Sequence, residues 1–331
     1  NEVSLNSPLI EFIENGLTDG MECIYKEALS LNRVLNVVQP KYVFSQHSLG
    51  VNYILGEYCK KNTIPSLLIS HGSYVPHPDT VAELEWSVHA HTMINSKYQF
   101  VALQTPWSLK FLEEQEGVVS QGIATGPLLF ARKSANSHSE KRDSIYSKHG
   151  GRRIVLHASS PKSWKTFRPW IYETVDEYIR NINDVIKAVE KTPNLYLAIR
   201  FRPLKELNLS EFKSSLISSD CYNVYSEGSF EEYLIHSDLL ISYSSTAIEE
   251  ALQNHIPVLQ YDPDGKYEHI PGSLLSGDGD SIISSVYMVN SEYDLSPALL
   301  WWSKKHVNKE SIDWSNHIMD VDNMTWLDLM H

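Results

Sequence analysis

The densest group of ligand-capable side chains in the chain is Ser242, Ser244, Ser245 and Thr246. They follow a short apolar run, Asp238 to Ile241, too short for a helix and suited to a buried parallel strand. They precede a helical stretch, Ala247 to Gln253, with Glu249 and Glu250 in its first turns, where the macrodipole favours acids. Asn254 and Pro257 mark the helix end, and Pro257 to Tyr261 reads as the next strand. Hydroxyls beside unpaired N–H groups at a helix start suit a phosphate or a carboxylate. The same residues also suit an N-cap with no ligand, and the sequence leaves both uses open.

Positive charge is unevenly spread. Between residues 151 and 170 lie Arg152, Arg153, Lys162, Lys165 and Arg168 with no acid among them, and the exit of a later strand adds Arg200, Arg202 and Lys205. In a parallel sheet those strand exits share one rim with Ser242 to Thr246. The expectation is an anion pocket on that rim. Ser159, Ser160 and Lys162 would meet the phosphate from one loop, and Arg200 or Arg202 would give charge-assisted, bidentate hydrogen bonds from another. The alternative is a solvated basic face balanced by nearby acids.

These groups need a scaffold, and the apolar pattern supplies one. Residues 8 to 37 have helical spacing, divided in two by Gly16 and Gly20. Short apolar runs at Lys41–Phe44, Pro65–Ser70, Phe100–Leu103 and Gln121–Thr125 alternate with helical stretches at Val51–Lys61, Ala82–Ile94 and Trp107–Glu114, the last with Pro106 at its start. Residues 131–150 are poor in large apolar groups and read as a linker. A second alternation follows: strands at Arg153–Leu156, Leu195–Phe201 and Tyr222–Tyr225, and helices at Ile171–Val189, Glu211–Ile217 and from Ser229 to Ile235. Strands alternating with helices predict an α/β fold with parallel, doubly wound sheets. The division expected is an N-terminal domain at 1–130, linker 131–150, a second domain at 151–280 and a helical tail at 281–331. Trp301, Trp302, Trp314 and Trp326 would dock that tail onto the domains.

The 331 residues carry a formal net charge of −13, which excludes a general nucleic-acid binder. Cys23, Cys59 and Cys221 are far apart and read as reduced, buried thiols of a cytoplasmic protein. No run is apolar enough to cross a membrane, and no helix shows a pronounced basic face; peripheral contact with the inner membrane stays open. The chain starts at Asn1 and reaches a helix before any strand, as a piece of a longer protein would. Asp262-Pro263-Asp264 reads as a turn rather than a metal motif, His89-Ala90-His91 completes no zinc site, and there is no P-loop, GxGxxG or GxSxG.

The layout resembles a GT-B glycosyltransferase: two Rossmann-like domains facing each other across a cleft, with the donor held mainly by the second. The likeness covers roughly residues 40 to 270. Ser244-Ser245-Thr246 is similar to the hydroxyl motif of bacterial transferases that use CMP-activated acidic sugars, such as sialyl-, polysialyl- and Kdo transferases of capsule and lipopolysaccharide assembly. Those enzymes pair the motif with His-Pro; here Arg202-Pro203 stands in that place. Ile69-Ser70-His71-Gly72-Ser73 resembles the His-Gly motif at the cleft of capsule Kdo transferases. The resemblance implies transfer of Kdo or another nonulosonic acid from a CMP-linked donor to a glycan or glycolipid acceptor, without a metal. Ser242, Ser244, Ser245 and Thr246 would contact the donor. His71, beside the permissive Gly72, would be the acid or base, with Asp79 and Glu83 as further candidates for base or nucleophile. Two alternatives remain: a non-hydrolysing UDP-sugar 2-epimerase, which shares the two-domain plan, and a non-catalytic carbohydrate-binding subunit.

Overall fold

The computed structural model describes residues 6–77, 79–130, 149–159, 168, 170–203, 207–276, 282–305 and 312–319. Ser160, Lys162, Lys165, Lys205, Trp326 and most of the expected linker lie outside them.

A long helix, α1 (Asn6–Val38), opens the described chain and leaves Cys23 exposed, whereas Cys59 and Cys221 are buried as expected. The helix runs straight through Gly16 and Gly20, where the sequence predicted a break; nothing lies within 4 Å of a Cβ built at either position. Four parallel strands follow in simple spatial order, β1 (Val43–Ser45), β2 (Ser66–Ile69), β3 (Phe100–Leu103) and β4 (Gln121–Ala124). Their connections are α2 (Val51–Lys61), α3 (Thr80–Ile94) and α4 (Pro106–Glu114). The start of α4 is fixed by a reciprocal capping box between Thr105 and Ser108, with Pro106 supplying a helical φ and no surplus N–H.

The second sheet has seven parallel strands. In chain order they are β5 (Arg153–His157), β6 (Leu195–Arg200), β7 (Tyr222–Tyr225), β8 (Leu239–Ser242), β9 (Val258–Tyr261), β10 (Ser273–Leu274) and β11 (Val286–Val289). The spatial order is β10-β11-β9-β8-β5-β6-β7. Setting aside the short β10, this is the doubly wound Rossmann order, in which the chain reverses direction of travel between β5 and β8. Around the sheet lie α5 (Val175–Glu190), α6 (Leu209–Ser214), α7 (Phe230–Leu234), α8 (Ala247–Gln253) and α9 (Glu292–Lys305).

Two sequence expectations change here. The helix expected from Ile171 starts at Val175, because Thr174 and Glu177 form a capping box that fixes its first turn; Ile171 and Tyr172 instead point into the core beside the first sheet. The tail expected to be helical first contributes β11, a buried four-residue run that pairs with β9. Val286, Tyr287 and Val289 have the β-branched and aromatic character of a core strand. Only then does α9 bring Trp301 and Trp302 into the core, with the Arg153 guanidinium over the Trp302 ring at 4.0 Å. Trp314 packs against the opposite face of the sheet.

The core beneath the first sheet is not built from that sheet alone. Tyr74, Trp86, Ala90, Ile94 and Phe111 share it with Ile171, Tyr172, Tyr243 and Tyr267, which belong to the second sheet and its loops. Tyr267 is the hub. Its ring lies 5.3 Å from Trp86, 6.0 Å from Tyr243 and 6.3 Å from Tyr172, centroid to centroid. The seam between the sheets is therefore an aromatic core in its own right.

Candidate functional site

The carboxyl ends of β5 and β8 flank the reversal point, which is where open α/β sheets leave a crevice. Ser242 ends β8 there, fully buried, and donates its hydroxyl to the Ala158 carbonyl at 2.6 Å. That bond pins β8 to the exit of β5 and takes Ser242 out of the ligand-facing set. The chain then turns. Ser245 Oγ accepts the Ala247 N–H at 3.2 Å, and Thr246 occupies the N-cap position without a side-chain capping bond. Ser244, Ser245 and Thr246 all border a cavity of about 480 Å³ at the seam.

The cavity draws its wall from both sides. From the second side come the three hydroxyls, Arg168, Tyr172, Arg202, Tyr267 and His269. From the first come Leu49 after β1, His71, Ser73 and Tyr74 after β2, and Trp86, His89 and Met93 on α3. Trp86, His89 and Met93 are three and four residues apart, so one helix face carries them all. Two guanidiniums, three imidazoles, four Ser/Thr hydroxyls and three phenols thus meet around one space, and no Asp or Glu lines it among the described residues. Such a wall suits an anion with an aromatic or apolar neighbour. Arg168 is steadied by Tyr172: its Nη1 donates to the phenol oxygen at 3.4 Å, and its guanidinium carbon lies 5.6 Å from the ring centroid.

Behind this wall sits a buried carboxylate. Glu249, on α8, accepts the Ser73 N–H at 2.5 Å and His269 Nε2 at 2.9 Å, both at Oε1. Burial would raise its pKa, but the charge and hydrogen bond of His269 and the Ser73 N–H more than offset this, and the carboxyl is held below its ordinary value. His269 Nδ1 lies 3.3 Å from the Tyr267 hydroxyl. A Tyr267–His269–Glu249–Ser73 chain therefore crosses the seam.

The structure separates the predicted residues into those that meet at the cavity and those that do not. His71, Arg202, Ser244, Ser245 and Thr246 line it. Asp79 does not: it is the N-cap of α3 and accepts from Val81 N and Ala82 N at 3.0 and 2.9 Å. Glu83 accepts the His77 N–H at 2.5 Å, and His77 reaches across the seam to the Lys266 carbonyl. With His77 Nδ1 accepting the Asp79 N–H, the proton sits on Nε2 and points at Lys266. Asp79 and Glu83 thus fix the start of α3 and the loop before it, and His77 ties that loop across the seam. Arg200 is likewise committed, its guanidinium donating to the carbonyls of Phe201, Tyr225 and Gly228. Ser159 is buried and donates to Glu173 at 3.2 Å. The basic run also divides: Arg153 begins β5 and Arg152 lies over the Tyr196 ring, both at the far end of the strand from the cavity. Asp262 accepts the N–H groups of Asp264 and Tyr267, so this acidic pair forms the turn expected of it.

Of the basic run expected on the rim, Arg168 does reach the cavity; Glu249, His269, Tyr267, Tyr172 and the α3 stripe were not foreseen as parts of the site. The stripe was legible as a periodic face. His269 was not, since it comes from an irregular segment whose path is set by Gln260, which accepts the N–H groups of His269 and Ile270.

A GT-B arrangement, two Rossmann-like sheets with a cavity between them, is the class this architecture defines. Solved structures with the same fold include a UDP-GlcNAc 2-epimerase from Neisseria meningitidis bound to UDP-GlcNAc, with TM-score 0.60 and 15% identity over 91% of this chain and 77% of that one. The UDP-GlcNAc 2-epimerase of Methanocaldococcus jannaschii, in complex with UDP-GlcNAc and UDP, gives 0.58 and 14% over 91% and 78%. The glycotransferase of kitacinnamycin gives 0.53 and 11% over 88% and 74%. At such identities the likeness is one of fold. The two epimerases carry UDP-linked ligands, not the CMP-linked donor expected above. No protein-family model matches the chain, and no curated protein does.

Proposed function

We propose that the protein is an enzyme acting on a nucleotide-linked sugar held in the seam cavity, with residues 1–130 and 151–280 as its two domains. The observation that carries this reading is the convergence of Arg168, Arg202, Ser244, Ser245 and Thr246 on one wall and His71 and His89 on the facing wall. The cations and hydroxyls take the phosphates; the imidazoles face the sugar. Positioned cations stabilise charge on a departing nucleotide, and an imidazole moves protons near neutral pH.

Epimerisation at C2 of a UDP-linked N-acetylhexosamine is the reaction favoured, because the fold neighbours with that activity match at the higher TM-scores. In that reaction a base takes the C2 proton as the C1–O bond breaks, a C1=C2 double bond forms and UDP leaves. Re-addition of UDP at C1, with protonation of C2 on the other face, completes the inversion. His71 and His89 are the groups assigned to proton movement. Incubation with UDP-GlcNAc in D₂O tests this: deuterium entering C2 and accumulation of the manno epimer support it, and bound but unexchanged substrate contradicts it.

A second reading, transfer of an acidic sugar from a CMP-linked donor, is favoured by the absence of carboxylates among the described lining residues, since an anionic sugar would meet only cations and hydroxyls. A thermal shift with CMP and none with UDP would select it, because a ligand that binds only the folded form raises its stability.

A further inference from the structure

The loop carrying His71 reaches the cavity at an unusual point of its backbone. Gly72 has φ +104°, outside the range of ordinary L-residues, and a Cβ there would come 2.9 Å from Glu249 Oε1. The next N–H, from Ser73, donates to that same oxygen. Glu249 belongs to the other sheet's side, in the first turn of α8 and three residues from Thr246. It is 3% exposed, and Oε1 is the atom that both Ser73 and His269 address. The loop has further anchors on its own side: Ser73 Oγ meets Thr105 Oγ1 at 3.0 Å and His71 N donates to the Tyr74 hydroxyl at 3.1 Å.

We infer that Glu249 is a positioning residue: a strut from α8 that sets the loop bearing His71 relative to the Ser244–Thr246 wall. This rests on the reading of His71 as a proton-moving group. The assignment explains three features together. Gly72 is needed because the carboxylate occupies the space of a side chain. His269 is needed to hold that carboxylate ionised where burial opposes it. The segment carrying Tyr267 and His269 is needed to bring the imidazole there. A bond between the two walls transmits any shift of the phosphate-binding turn to the imidazole across the cavity, so nucleotide seating and proton transfer share one geometry. Ser73 provides only its backbone N–H to this contact, so its side chain is not the part that matters.

Three variants test the strut: Glu249→Met, which keeps volume and removes the acceptor; Glu249→Gln, whose amide oxygen can still accept the Ser73 N–H; and Gly72→Ala, which disturbs the contact from the loop side with Glu249 intact. Two readouts apply to each: amide hydrogen exchange of residues 71–75, and turnover of UDP-GlcNAc alongside calorimetric UDP affinity. In Glu249→Met the loop amides should exchange about tenfold faster, as expected for a lost charge-assisted bond in a local opening. Turnover should fall by about tenfold or more while UDP affinity changes by less than about threefold, the pattern of a lost geometric constraint rather than a lost binding contact. Glu249→Gln should recover part of both effects, and Gly72→Ala should act in the direction of Glu249→Met. If Glu249→Met does not fold, Gly72→Ala decides alone.

Unchanged loop exchange in the variants overturns the strut. So does a collapse of UDP affinity with normal turnover of bound substrate, which would make Glu249 a nucleotide contact. If the wild type turns over no nucleotide sugar yet the loop amides loosen as stated, the functional reading fails and the strut stands as a structural link.

Discussion

The two sheets differ in how they complete their cores. The second, with seven strands, buries Ile154, Val155 and Leu156 on β5 between two sets of helices and closes with α9 and its paired tryptophans. The first has four strands and finishes its core with borrowed rings, Tyr172, Tyr243 and Tyr267. The second side draws its large clusters almost wholly from its own elements, while the first shares its main cluster with its neighbour. The cavity lies where the borrowing occurs, so the residues that hold the sides together also form the floor of the site. This joins stability to function at the seam and leaves the far ends of both sheets free of that coupling.

The largest effect expected is from breaking the seam. Trp86 is 3% exposed, and its indole N–H donates to the Val75 carbonyl at 2.7 Å. Trp86→Ala should cost about 3–5 kcal/mol in denaturant unfolding. Hydrogen exchange should show the first sheet losing protection ahead of the second; equal loss in both would remove the asymmetry.

Next comes a group confined to the second side. Burial pushes the Glu173 carboxyl up to about 7 from 4.5, against the hydrogen bonds from Asn181 and Ser159. Its folded pKa exceeds its unfolded one, so the folded state holds the proton longer. Stability from this group therefore falls as pH rises from 4.5 to 7 and then levels off. The loss is about 3 kcal/mol. His157, also buried, is lowered to about 4 from 6.5, so its contribution is lost in the other direction, as pH falls from 6.5 to 4. Glu173→Gln should raise stability above neutral pH, leave it nearly unchanged near pH 4, and expose the His157 slope. Urea titrations across that range check this, and a pH-independent gain would contradict it.

A smaller effect separates ligand contacts from structural ones. Arg202→Met should weaken nucleotide binding by about 10- to 100-fold, the range of a lost charge-assisted bond, with little change in melting temperature. Arg200→Met, which removes one donor from each of three carbonyls, should show the reverse balance. The smallest is Asp79→Ala, which should cost about 1 kcal/mol of stability as a lost N-cap and leave turnover per folded molecule intact. A loss of turnover beyond the unfolded fraction would restore Asp79 to the catalytic group.

The alternation of short apolar runs with helical stretches made both sheets legible in the sequence, and with them the rim that carries Ser244, Ser245, Thr246 and Arg202. Arg200 and Arg202 illustrate the limit. Two residues of one type, two positions apart on a strand exit, looked equivalent until the β7 loop offered its carbonyls to one of them. Asp79 shows a second limit: a loop acid before a helix reads equally well as base or cap until its acceptor geometry is known. Glu249 shows a third. It looked like a residue placed for the helix dipole, and its partners are remote in sequence, the loop at Ser73 and the imidazole of His269. Contacts across the seam leave no local pattern, which is why the site's floor was hidden while its hydroxyl wall was not.

The central claim is that the seam cavity grips a nucleotide phosphate. Titration calorimetry of the wild type and of Arg202→Met with UDP, and with CMP in parallel, addresses it most directly. The account predicts saturable one-site binding of a nucleotide to the wild type that Arg202→Met weakens by about tenfold or more. No binding of either nucleotide, or binding indifferent to the loss of Arg202, would contradict it.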